Sequence, residues 1–144
     1  MHHYSVEEVR ASFSFFVPIQ VRLSDIDGYM HVNNGIYFNY FEHARALFLF
    51  QHCGWYVMDI GTVVASIQID YRKPIHAEDN PLVYVRCTEI GRSSFVLEQV
   101  IIANEKEGSG TVYAQAETTM VAVDLKLMRP VSVPEPYAAK LRSS

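Results

Sequence analysis

A long apolar segment in the first third of the chain limits the possible folds more than any other feature. Residues 33–52 favour a helix, and Gly54 is well placed to end it. The apolar side chains of this segment cover most faces of the predicted helix: Ile36, Phe38, Tyr40, Phe41, Ala44, Leu47, Phe48, Leu49 and Phe50. A helix that is apolar nearly all round is a buried one. In a chain of 144 residues something must wrap this helix, and a sheet is the natural candidate.

The rest of the sequence supplies that sheet. Segments rich in β-branched and aromatic residues predict strands, and they are residues 14–23, 62–71, 82–90, 94–103 and 111–123. Turn residues separate the later strands at Gly91-Arg92 and at 104–110, residues 73–81 form a connection, and Pro18 marks an edge or a bulge. The order β–α–β–β–β–β predicts an α+β fold, in which a curved, mostly antiparallel five-stranded sheet wraps one long buried helix.

Length and composition predict one domain over residues 1–144, with a core at about 14–134 and short terminal tails, the second rich in proline. The net charge of −4 argues against a broad nucleic-acid-binding surface. Cys53 and Cys87 make no disulfide framework and are expected to be reduced core thiols. With no secretory signal and no membrane-spanning segment in the sequence, we expect a cytoplasmic protein.

A polar cluster precedes the predicted helix. Two carboxylates, a histidine and two asparagines stand within ten positions, and they are Asp25, Asp27, His31, Asn33 and Asn34. Such residues favour a turn or a helix start, where unpaired backbone N–H groups and the positive end of the helix dipole are available. Donors of this kind can hold a developing oxyanion while a nearby carboxylate handles a proton or attacks. The cluster therefore predicts an acyl-transfer site.

The run D-I-D-G-Y-M-H-V-N-N-G-I-Y-F-N-Y-F-E-H-A-R closely resembles the first signature of hotdog-fold acyl-CoA thioesterases of the 4-hydroxybenzoyl-CoA thioesterase type. The resemblance continues through I-D-Y-R-K-P-I, I-G-R-S-S-F and M-V-A-V-D, so it extends from about Val17 to Pro134. Matched segments in the same order are more specific than one short motif. The resemblance implies the hotdog fold and a thioester hydrolase.

Carried over by position, the family's catalytic carboxylate falls on Asp27, as nucleophile or as general base on water. The polarising backbone N–H falls on Asn34, in the first turn of the helix. A turn or cap role for Asp27 is the alternative, and Asp25 is expected to be structural, accepting hydrogen bonds from the turn. His31 either takes part in the reaction or is a helix-start histidine bonded to backbone.

Further residues are expected to bind substrate. Asn33 is the expected N-cap and a substrate-binding residue. Since coenzyme A brings phosphate charges, cationic and N–H-rich positions should lie at the mouth of the pocket, and the candidates are Arg72, Lys73, Arg92, Ser93 and Ser94. The charges of Arg72, Lys73 and Arg92 are equally well explained as solvated surface groups. The resemblance implies no metal and no cofactor, since coenzyme A is part of the substrate, and it implies a homodimer or homotetramer.

One residue departs from the family pattern. Met30 stands where the family commonly has glycine, and Gly28 lies two residues earlier. If the turn needs a positive φ at position 30, Met30 is strained there. If its side chain faces the thioester, it narrows the acyl slot.

Two other functions remain open. An acyl-acyl carrier protein thioesterase would need a basic docking surface, which the acidic composition does not favour. A hotdog module that binds acyl-CoA without cleaving it would not need the carboxylate of Asp27. A dehydratase on the same fold would place its Asp/His pair in a different segment.

Overall fold

In the computed structural model of the protein, which describes residues 1–104 and 110–144, a curved antiparallel sheet wraps one long helix. The elements are α1 (Val6–Ser12), β1 (Phe15–Pro18), α2 (Asn34–Leu47), β2 (Gly61–Tyr71), β3 (Pro81–Ile90), β4 (Ser94–Ala103), β5 (Val112–Asp124), β6 (Arg129–Pro130) and α3 (Glu135–Arg142). The predicted α+β arrangement of five main strands around one long helix is confirmed. Part of the predicted 104–110 turn, residues 105–109, lies outside the described residues.

The strand order of the sheet is β1-β3-β4-β5-β2, and the short strand β6 pairs with the end of β5. Pro18 is the last residue of β1, an edge strand, as predicted. The other edge is β2, which in the described part of the chain pairs only with β5 and carries a bulge between Val64 and Ser66. One long side of β2 is therefore left without a strand partner.

Helix α2 begins where the sequence predicts. Asn33 is its N-cap, since the side-chain oxygen accepts the N–H of Gly35 at 2.9 Å. A π-helical turn, Phe48–His52, continues α2, and Gly54 follows with φ of +62°. The expectation of burial on nearly all faces is wrong for the single chain, because Phe50 is 69% exposed. The sheet covers only one side of the helix.

The two faces of the sheet carry different layers. Alternate residues of β3 and β4 point to opposite faces. Those on the inner face pack against α2, as Val83 and Ile101 do, and those on the outer face pack against α1, as Leu82 and Val100 do. The core therefore lies mainly between α2 and the sheet, with a smaller layer under α1.

Both terminal segments form helices, although the sequence predicts tails there. Helix α1 buries Val6 and Val9, and α3 buries Ala138 and Leu141. Because each of these short helices buries only two side chains, the sequence shows little of the helical periodicity that would predict them. In residues 1–104 and 110–144, no helix is long and apolar enough to span a bilayer. The cytoplasmic location stays a prediction.

Candidate active site

A tight loop before α2 holds the carboxylate of Asp27. The backbone N–H of Asp27 donates to the carbonyl of His31 at 2.8 Å, and the N–H of Met30 donates to the carbonyl of Asp27 at 3.0 Å. The side-chain oxygen Oδ1 of Asp27 accepts the N–H of Tyr29 at 2.9 Å and that of His31 at 3.4 Å. Within the described residues, Oδ2 has no hydrogen-bond partner. One oxygen braces the loop, and the other is available.

Asn34 is the first residue of α2, and its backbone N–H meets no acceptor in the part of the chain that the structure describes. This is the expected state of an N–H group in the first helical turn, because no preceding turn offers a carbonyl. The carbonyl of Asn34 accepts the phenol hydrogen of Tyr71 at 2.8 Å. The start of α2 is thus tied to the end of β2.

A cleft of about 550 Å³ opens between this loop, the start of α2 and the end of β2. Six of the predicted site residues line it, and they are Asp27, His31, Asn33, Asn34, Arg72 and Lys73. Tyr37 and Tyr71, to which the sequence gives no site role, line it too. Nothing in the local sequence places Tyr71 beside α2, because the contact joins residues 37 positions apart.

The ring of His31 also has a defined neighbour. It lies perpendicular to the ring of His76, with 4.8 Å between the ring centroids, and the two residues form an isolated antiparallel bridge. Asp79 accepts the backbone N–H of His76 at 2.8 Å, which holds this connection in place. The sequence alone gives His76 no special role, but the fold packs it against the candidate site.

The other three predicted residues lie elsewhere. Ser94 is opposite Val121 in the sheet, and Val121 is opposite Val63, near the start of β2. Tyr71, which lines the cleft, is at the far end of the same strand. The turn containing Arg92, Ser93 and Ser94 is therefore at the opposite end of the sheet from Asp27, so a single chain does not bring them together.

Comparison with known proteins identifies the family. Residues 21–141 match the family described as the thioesterase-like superfamily. The chain belongs to this superfamily. It is 32% identical over 126 residues to the long-chain acyl-CoA thioesterase FadM of Escherichia coli K12, a match covering 85% of this chain and 93% of FadM.

Solved structures have the same fold. A thioesterase from Thermus thermophilus, complexed with coenzyme A and Zn, is 33% identical with a TM-score of 0.77, over 91% of this chain and 94% of that chain. The PA5185 protein of Pseudomonas aeruginosa is 27% identical with a TM-score of 0.84, over 93% of each chain. The predicted hotdog family and the enzyme class, a thioester hydrolase, are confirmed.

Residues 1–104 and 110–144 of this thioesterase contain no group of three or more His, Cys, Asp or Glu side chains that could bind a metal ion. Its two cysteines are free thiols, Cys53 buried and Cys87 half-buried. Burial is the largest cause that raises the pKa of Cys53, to about 12. The absence of a metal or other cofactor in the reaction stays a prediction.

Met30 adopts the backbone conformation that the family's glycine would favour. Its φ is +65°, so the strain expected at this position is confirmed. Its side chain is 62% exposed and does not line the cleft beside Asp27. The expected narrowing of an acyl slot is therefore not found, because the loop turns this side chain outward.

Asp25 has the structural role predicted for it. Its Oδ2 accepts the N–H of Arg22 at 3.0 Å and the phenol hydrogen of Tyr40 at 2.6 Å. Burial, together with this hydrogen bond to a carboxylate, raises the pKa of Tyr40 above the usual value for tyrosine. The carbonyl of Asp25 also accepts the N–H of Asn33 at 2.9 Å.

A second depression, here called the apolar groove, has a volume of about 610 Å³ and lies between the uncovered side of α2 and the start of β2. Its lining includes Leu49, Phe50, Val63 and Val64. Arg45, which is only 3% exposed, also lines it and donates to the Gln99 side chain at 3.3 Å. Burial lowers the pKa of Arg45.

Proposed function

We propose that this thioesterase hydrolyses acyl-CoA thioesters, with Asp27 as the catalytic carboxylate and the backbone N–H of Asn34 as the donor to the thioester carbonyl. The observation that carries the proposal is that Asp27, which has an available carboxylate oxygen, and Asn34, which has an available helix-start N–H, line one cleft. The similarity to FadM and to a thioesterase complexed with coenzyme A supports acyl-CoA as the substrate.

The chemistry follows from these two groups. Oδ2 of Asp27 takes a proton from water as the water oxygen bonds to the thioester carbon, or attacks that carbon itself to form an anhydride that water then opens. In both routes the carbonyl oxygen gains negative charge, which the N–H of Asn34 and the helix dipole stabilise. The C–S bond breaks, the thiolate takes up a proton, and the products are a carboxylic acid and coenzyme A.

Neighbouring residues orient these groups. His31 holds Oδ1 of Asp27 through its backbone N–H, and its ring, backed by His76, forms one wall of the cleft. We assign to His31 the positioning of Asp27. Asn33 uses its side-chain oxygen as the N-cap of α2, so its amide nitrogen is the part that we expect to contact substrate. Lys73 supplies positive charge for the phosphates of coenzyme A.

We further propose a homodimer that pairs β2 with β2 of a second copy. The support is the exposed edge of β2, since an edge strand is a template for pairing with another strand. An antiparallel, twofold pairing sets the Tyr71 end of one β2 beside the Gly61 end of the other. The apolar groove and the Arg92–Ser94 turn of one protomer then approach the Asp27 cleft of its partner. In this arrangement the groove accepts the acyl chain, and the turn binds the phosphates of coenzyme A.

The test is thiol release from acyl-CoAs of graded chain length by the native chain and by Asp27→Asn. We expect turnover to fall by roughly 10² or more in the variant, the loss typical of removing a general base. Asp59→Asn, at an exposed position, is the matched control and should retain activity. Full activity of Asp27→Asn would overturn the role of Asp27. Tight binding of acyl-CoA without thiol release by the native chain would favour a binding module instead.

A further inference from the structure

The first residues of the chain form a strap, residues 2–13, across the outer face of the sheet. Its apolar side chains, including Val9 and Phe13, are buried against Tyr84, Val100 and other outward-facing residues of the sheet. The match to the superfamily begins at residue 21, so the strap precedes the part that the family describes.

The polar end of the strap is bonded to the end of β2. Arg72 Nη1 donates to the carbonyl of Tyr4 at 2.7 Å, and the N–H of Tyr4 donates to the side-chain oxygen of Gln115 at 3.2 Å. Gln115 is 1% exposed, so the bond between Tyr4 and Gln115 is buried, whereas the bond from Arg72 is only partly buried. Nearby, His3 Nε2 lies 3.5 Å from a carboxylate oxygen of Asp70.

The side chain of Tyr4 bonds the strap to β3 and β4, independently of β2. Its hydroxyl donates to Glu98 at 2.5 Å and accepts from Arg86 Nη2 at 2.6 Å. The Arg86 guanidinium also lies 4.4 Å from the centroid of the Phe13 ring. The strap therefore contacts the middle of the sheet as well as its edge.

On the inner face, the residue beside Arg72 contacts the candidate active site. Tyr71 donates to the carbonyl of Asn34 at 2.8 Å, and its ring packs edge-on against Tyr37 with 5.0 Å between centroids. Tyr71 is the last residue of β2 and Arg72 follows it directly, so the helix start and the strap hold the same short segment, one through each residue.

We propose that Arg72 is a positioning residue, which ties the end of β2 to the strap and thereby holds Tyr71 against Asn34 at the helix start. The end of a strand frays more readily than its middle, even where the strand is paired. The strap restrains this end from the outer face of the sheet. The inference rests on the proposed function, because the Asn34 N–H matters only if it serves the reaction.

This role is distinguishable from a direct contact between Arg72 and the phosphates of coenzyme A. A phosphate ligand affects only substrates that carry the nucleotide, whereas a positioning residue affects every thioester cleaved at the site. The probes are therefore one acyl group carried on coenzyme A and the same acyl group carried on pantetheine, which lacks the nucleotide.

Arg72→Met keeps the aliphatic stem of the side chain and removes its hydrogen bonds. A shortened chain begins at Ser5 behind an initiator methionine and lacks Tyr4. A third variant combines the two changes. Tyr71→Phe removes the bond to Asn34 from the inner face alone. Lys73→Met represents a phosphate ligand, and Glu7→Gln, on the exposed side of α1, is the control that should change nothing.

We expect Arg72→Met, the shortened chain and Tyr71→Phe each to lower kcat roughly tenfold on both substrates, as a small misplacement of reacting groups does. The combination of Arg72→Met with the shortened chain should lose no more than either change alone. Lys73→Met should raise KM for the coenzyme A substrate only.

Two results would overturn the positioning role. One is a raised KM in Arg72→Met that is confined to the coenzyme A substrate. The other is a combined variant whose losses multiply. Hydrogen exchange gives a readout that does not depend on activity: in Arg72→Met, amides near residues 69–72 and 34–36 should exchange faster. Unchanged exchange would contradict the restraint itself, whereas faster exchange in a protein that cleaves no thioester would contradict only the proposed function.

Discussion

Tyr40 donates its phenol hydrogen to the carboxylate of Asp25 across 2.6 Å, which fastens α2 to the loop that carries Asp27. The carbonyl of the same aspartate accepts the N–H of Asn33, at the other end of this loop. Asp25 thus joins the two ends of the loop to the helix core, while Asp27, two residues later, faces the cleft. The two aspartates therefore differ in their surroundings, since Asp25 bonds to the helix core and Asp27 lines the cleft.

We expect Tyr40→Phe to lower the free energy of unfolding by about 1.5–3 kcal/mol, the typical value for a hydrogen bond to a charged group. The variant leaves the half-buried Asp25 carboxylate without this donor. Urea unfolding measures the change. Tyr56→Phe, at an exposed tyrosine, should stay within about 0.5 kcal/mol of the native chain. Equal stabilities of the two variants would contradict the importance of the Tyr40–Asp25 bond.

Met30→Gly should stabilise the protein by roughly 0.5–1 kcal/mol, since a left-handed backbone strains an L-residue and glycine adopts it freely. The φ of +65° and the exposed side chain mean that little packing is lost. Met30→Ala keeps the strain and is the control, with little expected change. Thermal unfolding of the three chains checks the order, and a Met30→Gly chain less stable than Met30→Ala would show that the strain is relieved elsewhere.

Stability should fall at alkaline pH. Burial raises the pKa of the Cys53 thiol from 9.0 to about 12, so above pH 9 the unfolded chain releases a proton that the folded chain retains. The free energy of unfolding is therefore unaffected below about pH 9 and decreases towards pH 12, by at most about 1.4 kcal/mol per pH unit for this group. Tyr40, whose pKa is also raised, adds a loss of the same sign above pH 10.

Urea unfolding across this pH range measures the slope, and Cys53→Ala identifies the contribution of the thiol. The variant removes a buried side chain and is less stable throughout, so the slopes are compared and not the absolute values. Cys53→Ala should have the shallower alkaline slope. Identical slopes would mean that the thiol titrates equally in both states.

Val64→Lys should convert the proposed dimer into monomers. Val64 lies on the exposed edge strand β2 and lines the apolar groove, so a lysine there places a charge in the interface between the two paired strands. Size-exclusion chromatography with light scattering measures the mass. Glu78→Lys, at a loop position, is the matched control and should keep the native mass. A native chain that is monomeric would contradict the proposal, as would a Val64→Lys chain of unchanged dimeric mass.

Local features of the sequence were sufficient to predict much of this protein. The N-cap at Asn33, the end of the helix at Gly54 and the strands β3 and β4 depend on residues close together in the chain. The polar cluster before α2 also indicated the helix start, where unpaired backbone N–H groups lie beside the preceding loop. The acyl-transfer role of the cluster stays a prediction. Family and enzyme class followed from the motif that spans this loop.

Other features depend on which strands become neighbours, and that information is not local. The residue pattern of a strand predicts which side chains share a face. It does not predict which strand lies beside it or at which end of the sheet a given turn lies. The sequence therefore groups Arg92 with Arg72 as a phosphate ligand, although the strand order sets them at opposite ends of the sheet. The exposed side of α2 and the bonds of Arg72 to the strap were likewise decided by long-range packing, because they join segments far apart along the chain.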